Sequence, residues 1–300
     1  MEQSQDHVCR HSNHRDIGAV CPVSPVISTL PGRWDTIANV ARLFAGTSGF
    51  AYPAWKPDFY PPKLASKNFL RHYATRLNAV EVNYTFRQLP SAKTLENWVE
   101  CTPEDFVFCV KAHQRITHIQ RLKESEFIEI FFKAIDPLRA ARRLGTVLFQ
   151  TPPNLKADPA LLEKFLQKLP QGYRCAFEFR NASWLEEPVY DLLKQHGASL
   201  CLAESEKLEI PEVMTADFVH SRLRKTDYTE EDRAEIADRT KRMVDAGKDL
   251  YVFFKHEDTP AGALYAEELL LNRRQMESGG PSKPSCLASD PNLRLPLDGK

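Results

Sequence analysis

The sequence predicts a single-domain α/β protein of (β/α)8 TIM-barrel type, and three observations predict it. Eight short apolar runs recur along the middle of the chain, and each is followed by a polar turn and then a helical pattern. Several of the runs are apolar on both faces, as parallel strands are when helices cover the sheet. Eight such units over about 230 residues match the size of a (β/α)8 barrel. A doubly wound open sheet is the competing architecture. It uses fewer strands and often carries a Gly-rich phosphate loop after the first. Gly46-Thr47-Ser48-Gly49 occupies that place, but neither GxGxxG nor the P-loop pattern is present.

The strands are expected at Leu43–Ser48, Ala79–Asn83, Phe106–Lys111, Thr146–Gln150, Arg174–Phe179, Ser199–Ala203, Asp217–Leu223 and Leu250–Lys255. Between them, Ser66 is placed to cap a helix whose stripe is Phe69, Leu70, Tyr73 and Leu77. Pro137 divides or kinks the helical stretch between the third and fourth strands. Asp158-Pro159 reads as an N-cap with proline at the first helical position, and Leu161, Leu162, Phe165 and Leu166 form the buried face. Thr229 with Glu230, Glu231 and Asp232 opens a helix that Gly247 ends, and Thr259-Pro260 opens the last.

Residues 1–40 and 273–300 lack a sustained hydrophobic period and read as flexible tails around a barrel domain at 41–272. The stretch Ile17–Leu30 follows Arg10 and Arg15 as a signal peptide would, but Pro22 and Pro25 interrupt it, so it is read as tail. No apolar run is long enough to span a bilayer. Seven cysteines are an odd number, and Cys101, Cys109, Cys175 and Cys201 lie in or beside apolar runs. That is the pattern of a reduced, cytoplasmic protein. A formal net charge of +0 removes the general electrostatic argument for nucleic-acid binding, while leaving room for a local basic cleft.

In a barrel, the C-terminal strand ends and the loops after them build the functional face. Those ends present Thr47 and Ser48; Glu81, Asn83 and Thr85; Lys111, followed by His113 and His118; Gln150; Glu178, Arg180, Ser183 and Trp184; Arg222; and Lys255. In Ala176-Phe177-Glu178-Phe179-Arg180 the charged residues alternate with phenylalanine, so Glu178 and Arg180 should share the inner face. Buried charges must be paired. The alternatives are an internal ion-pair network and a pocket for an anionic ligand held by Lys111, Arg180, Arg222 and Lys255. A divalent metal on Glu81, Glu178, Glu204, His118, His256 or Asp258 is less favoured, because no spaced ligand motif supports it and the basic residues oppose a cation. The N-terminal His7, Cys9, His11 and His14 fit no standard zinc spacing. Tyr52, Trp55, Phe59 and Tyr60 form either an aromatic wall for a sugar or base, or the packing of a long loop.

GTSGFAYPAWKPDFYP (46–61), VEVNYTF (80–86), KAHQRITH (111–118), VLFQTPP (147–153), FEFRNASW (177–184) and YVFF (251–254) together resemble the YecE-like family, also called domain of unknown function 72. The resemblance implies a (β/α)8-like fold. It also implies a pocket that adds Tyr52, Trp55 and Thr117 to Thr47, Ser48, Glu81, Asn83, Thr85, Lys111, His118, Gln150, Glu178, Arg180, Ser183 and Trp184. The chain departs from the family pattern at Ala203-Glu204-Ser205, at Arg224-Lys225 and at Lys255-His256-Glu257-Asp258, which makes the last third of the pocket more basic.

Two functions follow. One is an enzyme, of hydrolase or isomerase type, acting on a phosphorylated or otherwise anionic sugar or nucleic-acid component. Glu81 or Glu178 would be its general base and His118 its acid or orienting group. The other is a non-catalytic binder of nucleic acid or an anionic metabolite. Cofactor, reaction and oligomeric state have no signature in the chain.

Overall fold

The structure is a computed structural model that describes residues 41–255 and 258–277. Residues 1–40, 256–257 and 278–300, with His7, Cys9, His11, His14 and His256, lie outside the described residues. The strands are β1 (Leu43–Thr47), β2 (Ala79–Val82), β3 (Val107–Lys111), β4 (Leu144–Gln150), β5 (Arg174–Glu178), β6 (Ser199–Leu200), β7 (Leu202–Ala203), β8 (Phe218–Leu223) and β9 (Asp249–Phe254). All pair in parallel, in one sheet of order β1-β9-β8-β7 and another of order β2-β3-β4-β5-β6. The chain passes from one sheet to the other between β6 and β7, which only Cys201 separates; the Cys201 N–H donates to Phe177 O of β5 at 2.8 Å. After β1, Ser48 forms a single bridge to Glu81 of β2, and Gly49 N–H donates to Glu81 O at 2.8 Å.

Helices follow the strands as expected: α1 (Phe69–Arg76), α2 (Ala92–Glu100), α3 (Phe127–Ala140), α4 (Pro159–Lys168), α5 (Glu187–Gln195), α6 (Glu230–Asp245) and α7 (Ala261–Glu277). Side-chain parity sorts the core into two layers. Strand residues such as Val80, Phe108, Val147, Phe149 and Phe177 pack under the helices. Phe44, Ala79, Cys109, Leu148, Ala176, Ala203, Phe218, Tyr251 and Phe253 form a separate inner cluster drawn from both sheets. Phe149 stacks on Phe177 at 5.1 Å and meets Phe165 of α4 edge-on at 5.3 Å, so the phenylalanines of β4 and β5 face outward.

Most of the expected helix ends recur, with four differences. Asp158 accepts from Leu161 N at 3.0 Å, and Thr229 and Asp232 form a reciprocal capping box. Gly247, at φ +80, follows α6 as its stop. Ser66, however, starts a short 3-10 turn, and α1 begins at Phe69 without a side-chain cap bond. Pro137 sits inside one continuous α3, near its end, where few following residues depend on the ladder. α7 continues to Glu277, beyond Asn272, because Arg273 reaches back to Asp245 on α6. Finally, no helix lies between β7 and β8. Pro211 stands in the middle of that short segment and leaves no room for stable helical turns.

Candidate functional site

The inward positions turn from apolar to polar toward the C-terminal ends of the strands. Cys109 is followed two residues on by Lys111, Leu148 by Gln150, Ala176 by Glu178, Ala79 by Glu81, and Phe218 by His220 and Arg222. A period of two aims them all at the same space. Glu81, Glu178, His220 and Arg222 are at most 3% exposed.

Arg222 is the centre of the cluster. Its Nη1 donates to Glu178 Oε2 at 2.5 Å and its Nη2 to Glu81 Oε1 at 2.8 Å, so one guanidinium ties β8 to two strands of the other sheet. Glu81 also accepts from Ser48 Oγ at 2.5 Å, and its Oε2 lies 3.1 Å from His220 Nε2. The other ring nitrogen of His220 is 2.7 Å from Thr146 Oγ1. Around Glu178, Gln150 Nε2 donates at 2.8 Å, Arg180 Nε at 3.0 Å and Arg224 Nη2 at 2.6 Å. Lys111 Nζ completes the chain by donating to Gln150 Oε1 at 2.9 Å. The strand-end charges therefore do pair with one another, as the network alternative requires.

The pairing decides the protonation states. Burial works against an ionised Glu81, but the Arg222 guanidinium and the His220 and Ser48 hydrogen bonds outweigh it and lower the carboxyl to about 2. Burial is likewise overridden at Glu178, where Arg222, Arg224 and Arg180 hold the carboxyl well below the usual range. Carboxylates so stabilised are weak bases. Two other groups move toward neutrality. Burial and then Arg222 lower Lys111 to about 8, against the opposing pull of Glu81 and Glu178. Burial, Lys111, Arg180 and Arg121 lower His118.

The remaining expected residues divide by parity and by loop packing. Thr47 lies on the opposite face from Ser48, where its Oγ1 donates to Gly49 O at 2.6 Å and contacts Tyr73 OH at 3.0 Å. Thr85 Oγ1 donates to Lys111 O at 2.7 Å, and Thr117 Oγ1 lies 2.8 Å from His118 Nδ1. Ser183 Oγ accepts from Ala157 N, while Trp184 stacks on Phe179 at 4.6 Å and donates to Leu155 O. Tyr52 OH donates to Ser48 O at 2.8 Å. Trp55, Phe59 and Tyr60 are buried, and Tyr60 stacks on Phe69 of α1 at 4.2 Å, so these rings pack the loop. Lys255 is exposed beyond β9 and, among the described residues, stands outside the hydrogen-bonded cluster. Asn83 follows β2 with a buried Oδ1 that has no hydrogen-bond partner among the described residues. His220 is the member that sequence reading missed, and Arg224 was read only as adding basic charge to the pocket. The i, i+2 relation of both to Arg222 was the signal that could have found them.

A cavity of about 400 Å³ adjoins the cluster where the helix between β7 and β8 is missing. Leu202, Leu208 and Ile210 give it an apolar side, and Glu204, Arg224 and Arg239 a charged one. Arg224 thus lines the cavity and also bonds Glu178. Glu204 accepts from Arg224 N at 2.5 Å and Lys225 N at 3.1 Å, and from Tyr228 OH, which holds the loop after β8 in place. Among the described residues no three His, Cys, Asp or Glu side chains are gathered as a metal ion would need. No described helix is long and apolar enough to cross a membrane.

Comparison with known proteins gives a consistent result. The family model described as "Protein of unknown function DUF72" matches residues 44–285. The UPF0759 protein YunF of Bacillus subtilis (strain 168) is 34% identical over 141 residues, 45% of this chain and 50% of its own. The UPF0759 protein YecE of Escherichia coli (strain K12) is 30% identical over 144 residues, 45% of this chain and 52% of its own. The chain thus spans about half the length of the curated relatives it matches. A DUF72 family protein from Thermotoga maritima MSB8 superposes with a TM-score of 0.70 at 27% identity, covering 77% of this chain and 99% of that one. One from Enterococcus faecalis V583 gives 0.63 at 19% identity, over 77% and 98%, a likeness of fold alone.

Proposed function

The chain belongs to the DUF72 family, and from that premise we propose that the Arg222 cluster is the active site of an enzyme acting on an anionic small molecule. The observation that carries this reading is an imbalance of charge. Arg180, Arg222 and Arg224 oppose Glu81 and Glu178, three guanidinium groups to two carboxylates, with the Lys111 amine beside them on Gln150. Arg222 Nε and Arg224 Nε are buried donors with no partner among the described residues, and a phosphate or carboxylate is the group that matches unfilled guanidinium donors. Arg180, at 37% side-chain exposure, and Arg224, at 21%, are the members open to an incoming ligand.

The two sheets serve this site best as one closed (β/α)8 barrel. The inner cluster shared by both, the Ser48–Glu81 bridge and the division of one strand into β6 and β7 at Cys201 support closure. In that arrangement the cluster sits at the C-terminal mouth, where barrel active sites form. Glu81 and Glu178 then act as positioning groups that hold Arg222, Arg224 and Arg180. His118, kept neutral near Lys111, is the proton acceptor. The cavity beside Arg224 has room for the uncharged body of the ligand. The nucleic-acid alternative needed an aromatic loop to stack a base, and burial of Trp55, Phe59 and Tyr60 removes that support. The free thiols Cys101, Cys109, Cys175 and Cys201 support a reducing, cytoplasmic setting.

Thermal-shift screening tests the anion site directly. Phosphorylated and carboxylated sugars should raise Tm in the wild type by mass action, while their neutral counterparts should not. Arg224→Gln should remove most of that rise and leave the unliganded Tm little changed, since Arg224 is only partly buried. Equal shifts from neutral and anionic sugars would sink the proposal.

A further inference from the structure

Lys111 is placed unlike an ordinary ion-paired lysine. It ends β3 on the inner face, half-buried, and among the described residues it makes no ion pair with a carboxylate. Its ammonium donates to a neutral carboxamide, Gln150 Oε1, and lies 4.0 Å from the centre of the Phe86 ring. His118 meets the edge of the same ring at 5.0 Å, with Nδ1 engaged by Thr117 Oγ1, which leaves Nε2 for proton transfer. Gln150 also donates to Glu178, so the amine is held at a set place beside the Arg180, Arg222 and Arg224 guanidinium groups.

We infer that Lys111 is a nucleophilic amine that forms an imine with the substrate, and that the substrate is therefore an aldehyde or ketone bearing a phosphate or carboxylate. An amine attacks a carbonyl only when neutral, and a desolvated lysine beside other cations is the setting that frees it. Burial and the neighbouring Arg222 both act in this direction on Lys111. In the addition step, Nζ forms a bond to the carbonyl carbon as the π pair moves to oxygen, and one proton passes from nitrogen to that oxygen. The second nitrogen proton then travels through His118 Nε2 to the departing hydroxyl. The C–O bond breaks, water leaves and C=N forms, with no oxidant or reductant required. The guanidinium groups hold the anionic end of the substrate, so this inference rests on the anion-site reading for its substrate class.

Borohydride trapping on the full-length protein tests it, with pyridoxal 5′-phosphate as the anionic aldehyde and pyridoxal as the neutral one, followed by peptide mapping. Near neutral pH, Lys111 should be labelled by the phosphorylated probe faster than exposed lysines by a factor on the order of ten or more, the sense expected of an amine titrating below the usual ~10.4. Its labelling rate should rise through a midpoint of about 8, and inorganic phosphate should slow it. Lys111→Arg should lose the adduct at this position while labelling of the exposed lysines stays as in the wild type. Labelling spread over surface lysines, with Lys111 no faster than the rest, overturns the inference. A phosphate-dependent Tm rise without an adduct on Lys111 overturns it too, while sparing the anion site. Equal labelling of Lys111 by both probes, insensitive to phosphate, keeps the amine and overturns the anion site.

Discussion

At the scale of single residues, Glu81 shows what a carboxylate is for in this chain. It is fully buried, accepts from Arg222 and Ser48 and lies against His220, so its charge is matched by neighbours that hold it ionised below the usual carboxylate range. Its replacement should therefore be felt first in stability. Glu81→Gln leaves Arg222 with half of its compensation and should destabilise the fold by about 3–5 kcal/mol, read from urea unfolding. A variant as stable as the wild type would show that Arg222 finds another partner. That Glu81, Glu178 and Arg222 stand at strand ends was legible in the sequence, but which groups they bond to was not. Glu81 and Glu178 carry the residue type of a general base, and only the guanidinium groups around them make them weak ones.

At the scale of elements, parity explains most of what could be read in advance. Phe177 and Glu178 take opposite faces because successive strand side chains do, and Arg180 returns to bond Glu178. The rule holds along β5 and gives no direction to residues in loops. Trp184 and Ser183 lie past the strand, where local hydrogen bonds to Leu155 O and from Ala157 N set their direction. Gly46 on β1 marks a close approach that no periodicity reveals. A Cβ there would stand 1.9 Å from Ala79 O and 2.6 Å from Tyr73 OH. Gly46→Ala should cost stability near the top of the ~1–3 kcal/mol range for overpacking, because a backbone carbonyl cannot swing aside. A Tm unchanged by this substitution would mean that β1 and β2 can separate without loss.

At the scale of the whole molecule, the cluster links global stability to pH. Glu81 has a depressed folded-state value, so its contribution is complete above the ordinary 4.5 and is lost as pH falls toward about 2. That contribution is on the order of 3 kcal/mol, and Glu178 acts in the same direction. Wild-type unfolding free energy should fall steeply between those two pH values, and Glu81→Gln should show a shallower slope there. Parallel slopes would show that other carboxylates govern acid unfolding.

The chain by itself determined the alternation of parallel strands and helices, the inner and outer faces of the strands, and the family. These depend on local periodicity and short contiguous motifs, which are written in consecutive residues. Only the tertiary structure decided that Arg222 from β8 sits between Glu81 of β2 and Glu178 of β5, 141 and 44 residues away. It also decided that His220 and Arg224 join them and that a cavity opens where a helix is missing. The physical reason is that a charge's proton affinity depends on the groups within a few ångströms of it, and those groups come from distant parts of the sequence.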